Sequence, residues 1–224
     1  MPKQTPTIIL DEPSARLRDE VAALAPVFVF KPSRGFLAPP LAAAEELPVM
    51  LAAAGAAPPY AFVAASIGGF AALAYAARHP ETLAGMVLVD SSHPEQSASA
   101  LAAIPADTPV TPGVTAFKRT LQGFGEVWTE SCAAITKIYQ FGDMPLIVLA
   151  AGNPDMPDEL PPETRAALTR SWHTLQRQHA ARSTRGELRI VAGVGHDLVR
   201  LAPQAVLAAI RRLVLPAPAA ALSS

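Results

Sequence analysis

The sequence is poor in three features that would point to particular classes of protein: cysteine, an excess charge of one sign, and charged residues as a whole. Cys132 is the only cysteine among 224 residues, which excludes an internal disulfide framework and a zinc site built from several cysteines. The 18 Lys and Arg residues nearly balance the 19 Asp and Glu residues, so no basic excess is available for nucleic-acid phosphates. Charged residues make up 17% and hydrophobic ones 50%, a composition that buries a full core. We therefore expect a folded protein with no nucleic-acid partner.

Uninterrupted hydrophobic runs of membrane-spanning length are missing as well. Residues 47–77 contain no charged side chain, and such a stretch is long enough to cross a bilayer. However, Pro58-Pro59 and Gly68-Gly69 divide it into pieces that are each too short, and broken helices do not lie exposed to lipid. The first residues have no long apolar run behind their lysine, so no signal peptide is expected. Together with the single cysteine, this predicts a cytoplasmic protein without a membrane partner.

Short apolar runs alternate with helical segments along the chain. Runs of β-forming residues predict strands at 7–10, 27–30, 60–63, 85–90, 146–150 and 188–192. Helical spacing of apolar residues predicts the main helices at 13–25, 41–54, 70–78, 162–182 and 203–215. From residue 27 onward the strand runs are short and apolar rather than alternating, which is typical of a mostly parallel α/β sheet covered by helices on both faces. We expect a single domain over residues 1–224, with a frayed tail at 216–224.

Reactive residues of such sheets lie at the carboxyl ends of the strands, and Ser66 follows one of them. It stands between a predicted strand and a predicted helix, with Ala64 two residues before it and Gly68 two residues after it. This is the nucleophile-elbow pattern, in which small neighbours permit a sharp turn that lifts the serine hydroxyl above the sheet. The N–H of Ile67 would then face a developing oxyanion. An ordinary small-residue turn between strand and helix has the same pattern, so the motif alone leaves both interpretations open.

A histidine and two acids occur at later strand ends. His196 follows the last predicted strand, where a general base is expected when an elbow serine lies upstream. Asp90 ends the strand that follows the elbow helix, and Asp155 lies just past the fifth strand. Either could orient His196, and we favour Asp90 because it sits directly at a strand terminus. The alternative roles are a turn cap for Asp90 and an ordinary surface acid for Asp155.

Several segments carry a resemblance to a known family. Three of them read PYAFVAASIGG at 59–69, AARHP at 76–80 and GMVLVDSSHP at 85–94. The others are Gly195-His196-Asp197, the following residues 203–206 and 208–210, and the predicted helix over residues 172–183. They resemble the α/β-hydrolase fold family and are similar to its bacterial esterase- and lipase-like branch. The resemblance implies Ser66 as nucleophile and His196 as base. It supports Asp90 as the acid and keeps Asp155 open, because family members also carry the acid after the next strand.

The loop after the first strand departs from the family pattern. Where family members place glycines in the loop that supplies the second oxyanion donor, this chain has Asp11-Glu12-Pro13-Ser14. Pro13 has no N–H to donate, so Ser14, or else Glu12, would supply the second donor beside Ile67. We therefore expect the oxyanion hole to be the weak part of the site.

Residues 91–142 fall where this family inserts a cap, or lid, over the site. The apolar residues there have helical rather than strand spacing. Phe117, Phe124 and Trp128 are candidates for a substrate-binding pocket under this cap. Packing of the cap onto the sheet would explain the same aromatic residues.

The expected function is that of a serine hydrolase with a small-molecule substrate. It would act on a carboxylic ester or lactone with apolar groups through an acyl-enzyme on Ser66. Other reactions on the same fold stay open, namely acyl transfer, cyclisation or C–C cleavage in a tailoring pathway. A ligand-binding protein without catalysis also stays open, because the loop around Pro13 is altered. Neither a cofactor nor a metal is implied, and the sequence does not predict the oligomeric state.

Overall fold

A computed structural model describes residues 4–11, 14–33, 39–138 and 140–214. The strands in these ranges are β1 (Thr7–Asp11), β2 (Val27–Phe30), β3 (Tyr60–Ala65), β4 (Leu83–Val89), β5 (Leu146–Ala151) and β6 (Gly186–Val191). All pair in parallel in one sheet with the order β2-β1-β3-β4-β5-β6. The prediction of a mostly parallel sheet of about six strands is confirmed.

Helices cover both faces of this sheet. They are α1 (Ala15–Ala22), α2 (Pro40–Ala53), α3 (Gly68–Arg78), α4 (Gln96–Ala102), α5 (Pro112–Val127), α6 (Thr129–Thr136), α7 (Pro162–Ala180), α8 (Leu198–Leu201) and α9 (Pro203–Val214). Ile8 packs in the cluster formed with α1 and α9, whereas its neighbour Ile9 packs in the cluster formed with α2 and α3. Successive strand residues point to opposite faces, so the continuous apolar runs supply both cores at once.

The central and edge strands differ in burial, as their positions require. Every residue of β5 is buried, whereas β6 is partly exposed along its length because it pairs on one side only. The apolar run predicts the start of this strand at residue 188. The structure starts it two residues earlier, because Gly186 and Glu187 pair with the first residues of β5. A charged residue is tolerated there because the edge is open to water.

Residues 91–142 contain helices α4, α5 and α6 between β4 and β5. Part of this region builds a small core of its own, in which Ile104 and Val114 pack against Leu160 and Leu168. The region is helical, in accordance with the spacing of its apolar residues. The tail at 216–224, expected to be frayed, lies outside the described residues.

The strand register sets the position of the candidate site. Ala65 at the end of β3 pairs with Val89 at the end of β4, and Val89 pairs with Leu149 of β5. Ser66 and Asp90 therefore leave the sheet side by side at its carboxyl edge. Both have left-handed backbones, with φ of 50° and 43°.

Candidate active site

Ser66 sits in a strained turn between β3 and α3. Its φ of 50° lies in the left-handed region, which costs a residue with a side chain about 1–2 kcal/mol. Neighbouring backbone holds it there. The Ser66 N–H donates to the Val89 carbonyl over 3.1 Å, and the Ser66 carbonyl accepts from the Ser92 N–H over 2.9 Å. The turn is thus bonded to the residues on either side of Asp90.

The two glycines after the serine allow other side chains to approach the turn closely. A Cβ on Gly68 would overlap the carboxylate of Asp11, and a Cβ on Gly69 would overlap the hydroxyl of Ser91. That hydroxyl donates to the Ser66 carbonyl over 3.1 Å. Close packing at the elbow therefore requires glycine at these two positions. This is stricter than the motif, which requires only small residues.

His196 lies between Ser66 and Asp90. Its Nε2 is 3.0 Å from the Ser66 Oγ, and its Nδ1 is 2.7 Å from the Asp90 Oδ2. When Nδ1 carries the proton and donates it to Asp90, Nε2 is free to accept the serine proton. The structure brings the three residues together in the arrangement that a serine nucleophile requires.

Asp90 is held by three hydrogen bonds although it is almost completely buried, at 1% exposure. Oδ2 faces His196, and Oδ1 accepts from the N–H of Ala151 and from the indole N–H of Trp172, each over 2.8 Å. A buried carboxylate is tolerated only when its oxygens are bonded in this way. The sequence carries no signal for this role of Trp172, because its helical spacing places it on the same face as core residues of α7.

The His196 environment favours the charged imidazolium. The hydrogen bond to Asp90 is the largest cause, and it raises the pKa of His196 above the ordinary 6.5. The negative charges of Asp90, Asp155 and Asp197 act in the same direction, while burial opposes them. Because only the neutral imidazole can accept a proton from Ser66, the site needs a pH above this raised pKa to be active.

Asp155, the alternative acid, lies nearby without reaching His196 Nδ1. It is exposed, and its carboxylate packs so closely on Gly195 that a Cβ there would overlap it. Its charge adds to the field at His196, but the carboxylate bonded to Nδ1 is that of Asp90. Of the two acids left open by the sequence, Asp90 is the one positioned to orient His196.

Both residues expected to supply the oxyanion donors, Ile67 and Ser14, lie within the described residues. Ile67 precedes α3 in a helical conformation, so its N–H points along the start of that helix. Ser14 lines the cavity at Ser66, and its hydroxyl caps α1 by accepting from the Leu17 N–H over 3.2 Å. Glu12 and Pro13 lie outside the described residues. The sequence analysis gave no role to Asp11, which ends β1 at the same edge of the sheet and lines the same cavity.

A cavity of about 420 Å³ opens at Ser66. Its apolar part comes from Phe30, Pro32, Pro40, Ala43 and Ala71, and its polar part includes Asp11, His196, Asp197 and Arg200. Asp197 and Arg200 form an ion pair across 2.8 Å at the start of α8. This volume lies in the range of sites that bind small molecules.

The aromatic residues expected to bind substrate lie elsewhere. Phe124 and Trp128 pack against the core cluster of α3, with the rings of Phe124 and Phe70 6.4 Å apart. Phe117 packs in the small core near Ile104. These side chains pack α5 and its C-terminal end against neighbouring elements. The cavity at Ser66 is lined mainly from the side of β2, α2 and α8, and Phe117, Phe124 and Trp128 are not among its described lining residues.

Two buried histidines lie beside the turn that carries Asp90. His93 and His179 have ring centroids 4.7 Å apart and are 3% and 0% exposed. Burial and the charge of Arg182 lower the pKa of His93 to about 4. Burial also lowers the pKa of His179 well below its ordinary value, helped by His93 and Arg182. Both rings are therefore neutral at neutral pH.

In the part of the chain that the structure covers, no three His, Cys, Asp or Glu side chains gather as metal ligands would. The same residues include no helix with the length and apolar character needed to span a bilayer.

Comparison with known proteins identifies the fold. A family model described as the α/β hydrolase fold matches residues 40–132. A probable hydrolytic enzyme from Pseudomonas aeruginosa aligns with 96% of this chain and 88% of its own, at 17% identity and a TM-score of 0.59. A monoacylglycerol lipase from Paleococcus ferrophilus aligns over 94% and 95%, at 15% identity and a TM-score of 0.56. A thermophilic esterase from Thermogutta terrifontis aligns over 95% and 91%, at 15% identity and a TM-score of 0.53. No curated protein sequence matches significantly.

Proposed function

Since this chain has the α/β-hydrolase fold, we propose that it is a serine hydrolase that cleaves a carboxylic ester or lactone with an apolar group. The observation that carries the proposal is the chain of contacts from Ser66 through His196 to Asp90, over 3.0 Å and 2.7 Å. The esterase and the lipase of similar fold support the same reaction class. A fold alone does not fix the chemistry, so the proposal stands on the site.

The first half-reaction makes an acyl-enzyme. The Ser66 Oγ attacks the substrate carbonyl carbon as His196 Nε2 takes the hydroxyl proton, and Asp90 stabilises the imidazolium. The Ile67 N–H, and a donor from the loop at Ser14, stabilise the negative oxygen. The carbonyl re-forms when the bond to the alcohol oxygen breaks, and His196 returns the proton to that oxygen.

The second half-reaction releases the acid. Water attacks the acyl carbon while His196 accepts one of its protons, and the proton is then returned to Ser66 as the acyl group leaves. The apolar lining from Phe30, Pro40 and Ala71 would hold the apolar group of the substrate.

Labelling and turnover test the proposal together. An organophosphonate probe should add to Ser66 of the wild type, and the protein should hydrolyse short p-nitrophenyl esters. Ser66→Ala should lose both, whereas the exposed Ser33→Ala should keep both. Labelling without ester turnover would favour acyl transfer or cyclisation instead. A protein that is neither labelled nor active would favour ligand binding.

A further inference from the structure

One face of α7 bonds to three consecutive residues of the turn that follows β4. The indole N–H of Trp172 donates to the Asp90 carboxylate over 2.8 Å. The Gln176 amide donates to the Ser91 carbonyl over 2.7 Å, and Nε2–H of His179 donates to the Ser92 carbonyl over 3.0 Å. We call residues 90–92 the acid turn. The donors are four and three residues apart, the spacing that places side chains on one face of a helix.

The other side of the acid turn bonds to the nucleophile. The Ser66 carbonyl accepts from the Ser91 hydroxyl over 3.1 Å and from the Ser92 N–H over 2.9 Å. The acid turn therefore lies between α7 and the elbow, with hydrogen bonds to both. A shift of the turn would move Asp90 and Ser66 together, on either side of His196.

The polar character of this helix face needs an explanation beyond packing. Gln176 and His179 are both 0% exposed, and burying polar side chains in a core costs free energy unless they are bonded. Leucine or phenylalanine would fill such positions without that cost. Each buried donor here is bonded to a carbonyl of the acid turn, so the polar residues hold that turn in one place.

We propose that Trp172, Gln176 and His179 are positioning residues that fix the acid turn, and through it Asp90 and Ser66, against His196. This inference rests on the proposed function and deepens it, because it assigns a role in the same site to residues that touch no substrate. Trp172 has a second effect. Its N–H bonds to the carboxylate and so offsets part of the negative charge that His196 experiences.

Trp172→Phe separates positioning from stability. The substitution keeps an aromatic ring and removes the N–H, so more of the Asp90 charge acts on His196. The rate of Ser66 labelling by the phosphonate should fall about tenfold at neutral pH, and the midpoint of its pH dependence should move up. A merely structural defect would lower the amount of folded protein without moving that midpoint. Circular dichroism melting measures the folded fraction separately.

A second series uses the other two donors. His179→Gln retains an N–H donor and should keep most of the labelling rate, whereas His179→Leu should lose about tenfold. Gln176→Leu should also lower the rate of Ser66 labelling about tenfold. Gln178→Leu is the matched control, since Gln178 is exposed two residues along the same helix, and it should leave the rate unchanged. This series tests the inference even if Trp172→Phe does not fold.

The outcomes distinguish the two proposals. If wild-type Ser66 is not labelled at all, the proposed function is wrong. If the wild type is labelled but folded Trp172→Phe keeps both its rate, within about twofold, and its pH midpoint, the positioning role of Trp172 is wrong. Equal losses in His179→Gln and His179→Leu would overturn the role of the His179 hydrogen bond.

Discussion

On one side of Ser66, hydrogen bonds from β5, α7 and the elbow hold Asp90 and His196. On the other side, the described residues include the Asp11 carboxylate and the cap of α1 at Ser14. We call the first the relay side and the second the oxyanion side, formed by Asp11, Ser14 and Ile67. The relay side has three bonds on one buried carboxylate. The oxyanion side places the Asp11 carboxylate against Gly68. We therefore expect stabilisation of the negative oxygen, rather than proton transfer, to limit the rate.

The largest expected effect comes from breaking the relay side at its acid. Asp90→Asn should cut ester turnover on the order of 10⁴-fold, because an amide favours the wrong tautomer of His196, and the same change in a serine protease has an effect of that order. Asp155→Asn should cost far less, since Asp155 contributes charge without the Nδ1 contact. Steady-state kcat/KM on a p-nitrophenyl ester measures both. The reverse ranking would assign the acid to Asp155.

The next effect probes the oxyanion side through its backbone. If Ser14 supplies the second donor, Ser14→Pro should slow acylation by about 10²–10³-fold. Ser14→Ala is the control, because it keeps the N–H and removes only the hydroxyl that caps α1, at about 1 kcal/mol of stability. Stopped-flow acylation rates compare the two. A folded Ser14→Pro that acylates at the wild-type rate would exclude Ser14 as a donor.

The buried histidines beside the relay side should make the fold sensitive to acid. The folded protein keeps His93 neutral down to about pH 4, whereas the unfolded chain binds that proton near the ordinary value of about 6.5. The stability that this group contributes is therefore present above about 6.5 and is lost as pH falls to about 4. Near pH 5 the loss is about 2 kcal/mol, or about 30-fold in the folding equilibrium.

Urea unfolding between about pH 7.5 and 4.5 measures this loss, over a range chosen to bracket the ordinary histidine value. His93→Phe should make the pH dependence shallower without abolishing it, because it removes one titrating group and keeps an aromatic ring, while buried His179 still takes up a proton on unfolding. An equally steep dependence in His93→Phe would assign the acid sensitivity to other groups.

The smallest expected effect is a gain. Asp11→Asn removes a negative charge beside the elbow and should speed acylation by neutral esters about tenfold, because about 1.4 kcal/mol less repulsion of the negative oxygen corresponds to that factor. Asp19→Asn, an exposed acid on α1, should change nothing. A slower Asp11→Asn would mean that the carboxylate assists the reaction instead.

The sequence predicts the elbow at Ser66 and the type of sheet better than it predicts the exact bounds of the strands. The small residues around Ser66 identify the elbow, because a tight turn tolerates few alternatives. The apolar strand runs likewise predict the parallel sheet, since strands buried on both faces need them. The start of β6 is harder to predict from the sequence. Pairing with β5 determines where β6 begins, and the apolar residues of β6 do not.

Other parts of the site depend on contacts between distant segments. Asp90 and Asp155 both follow strands, and only the register of β4 against β5 decides which reaches His196. Trp172 resembles a core residue in its spacing, and its hydrogen bond to Asp90 spans 82 positions. Phe124 suggested a pocket by its type, yet its ring packs on Phe70. Composition and local motifs contain no signal for such pairings.

The pH dependence of Ser66 labelling tests the central claim most directly. The claim is that neutral His196, oriented by Asp90, activates Ser66. The account predicts a phosphonate adduct on Ser66 whose rate of formation rises with pH through a single midpoint above 6.5, in accordance with the raised pKa of His196. In His196→Ala the rise should disappear together with most of the rate. A rate that stays flat from about pH 5 to about pH 9, or a rise that persists without His196, would contradict the account.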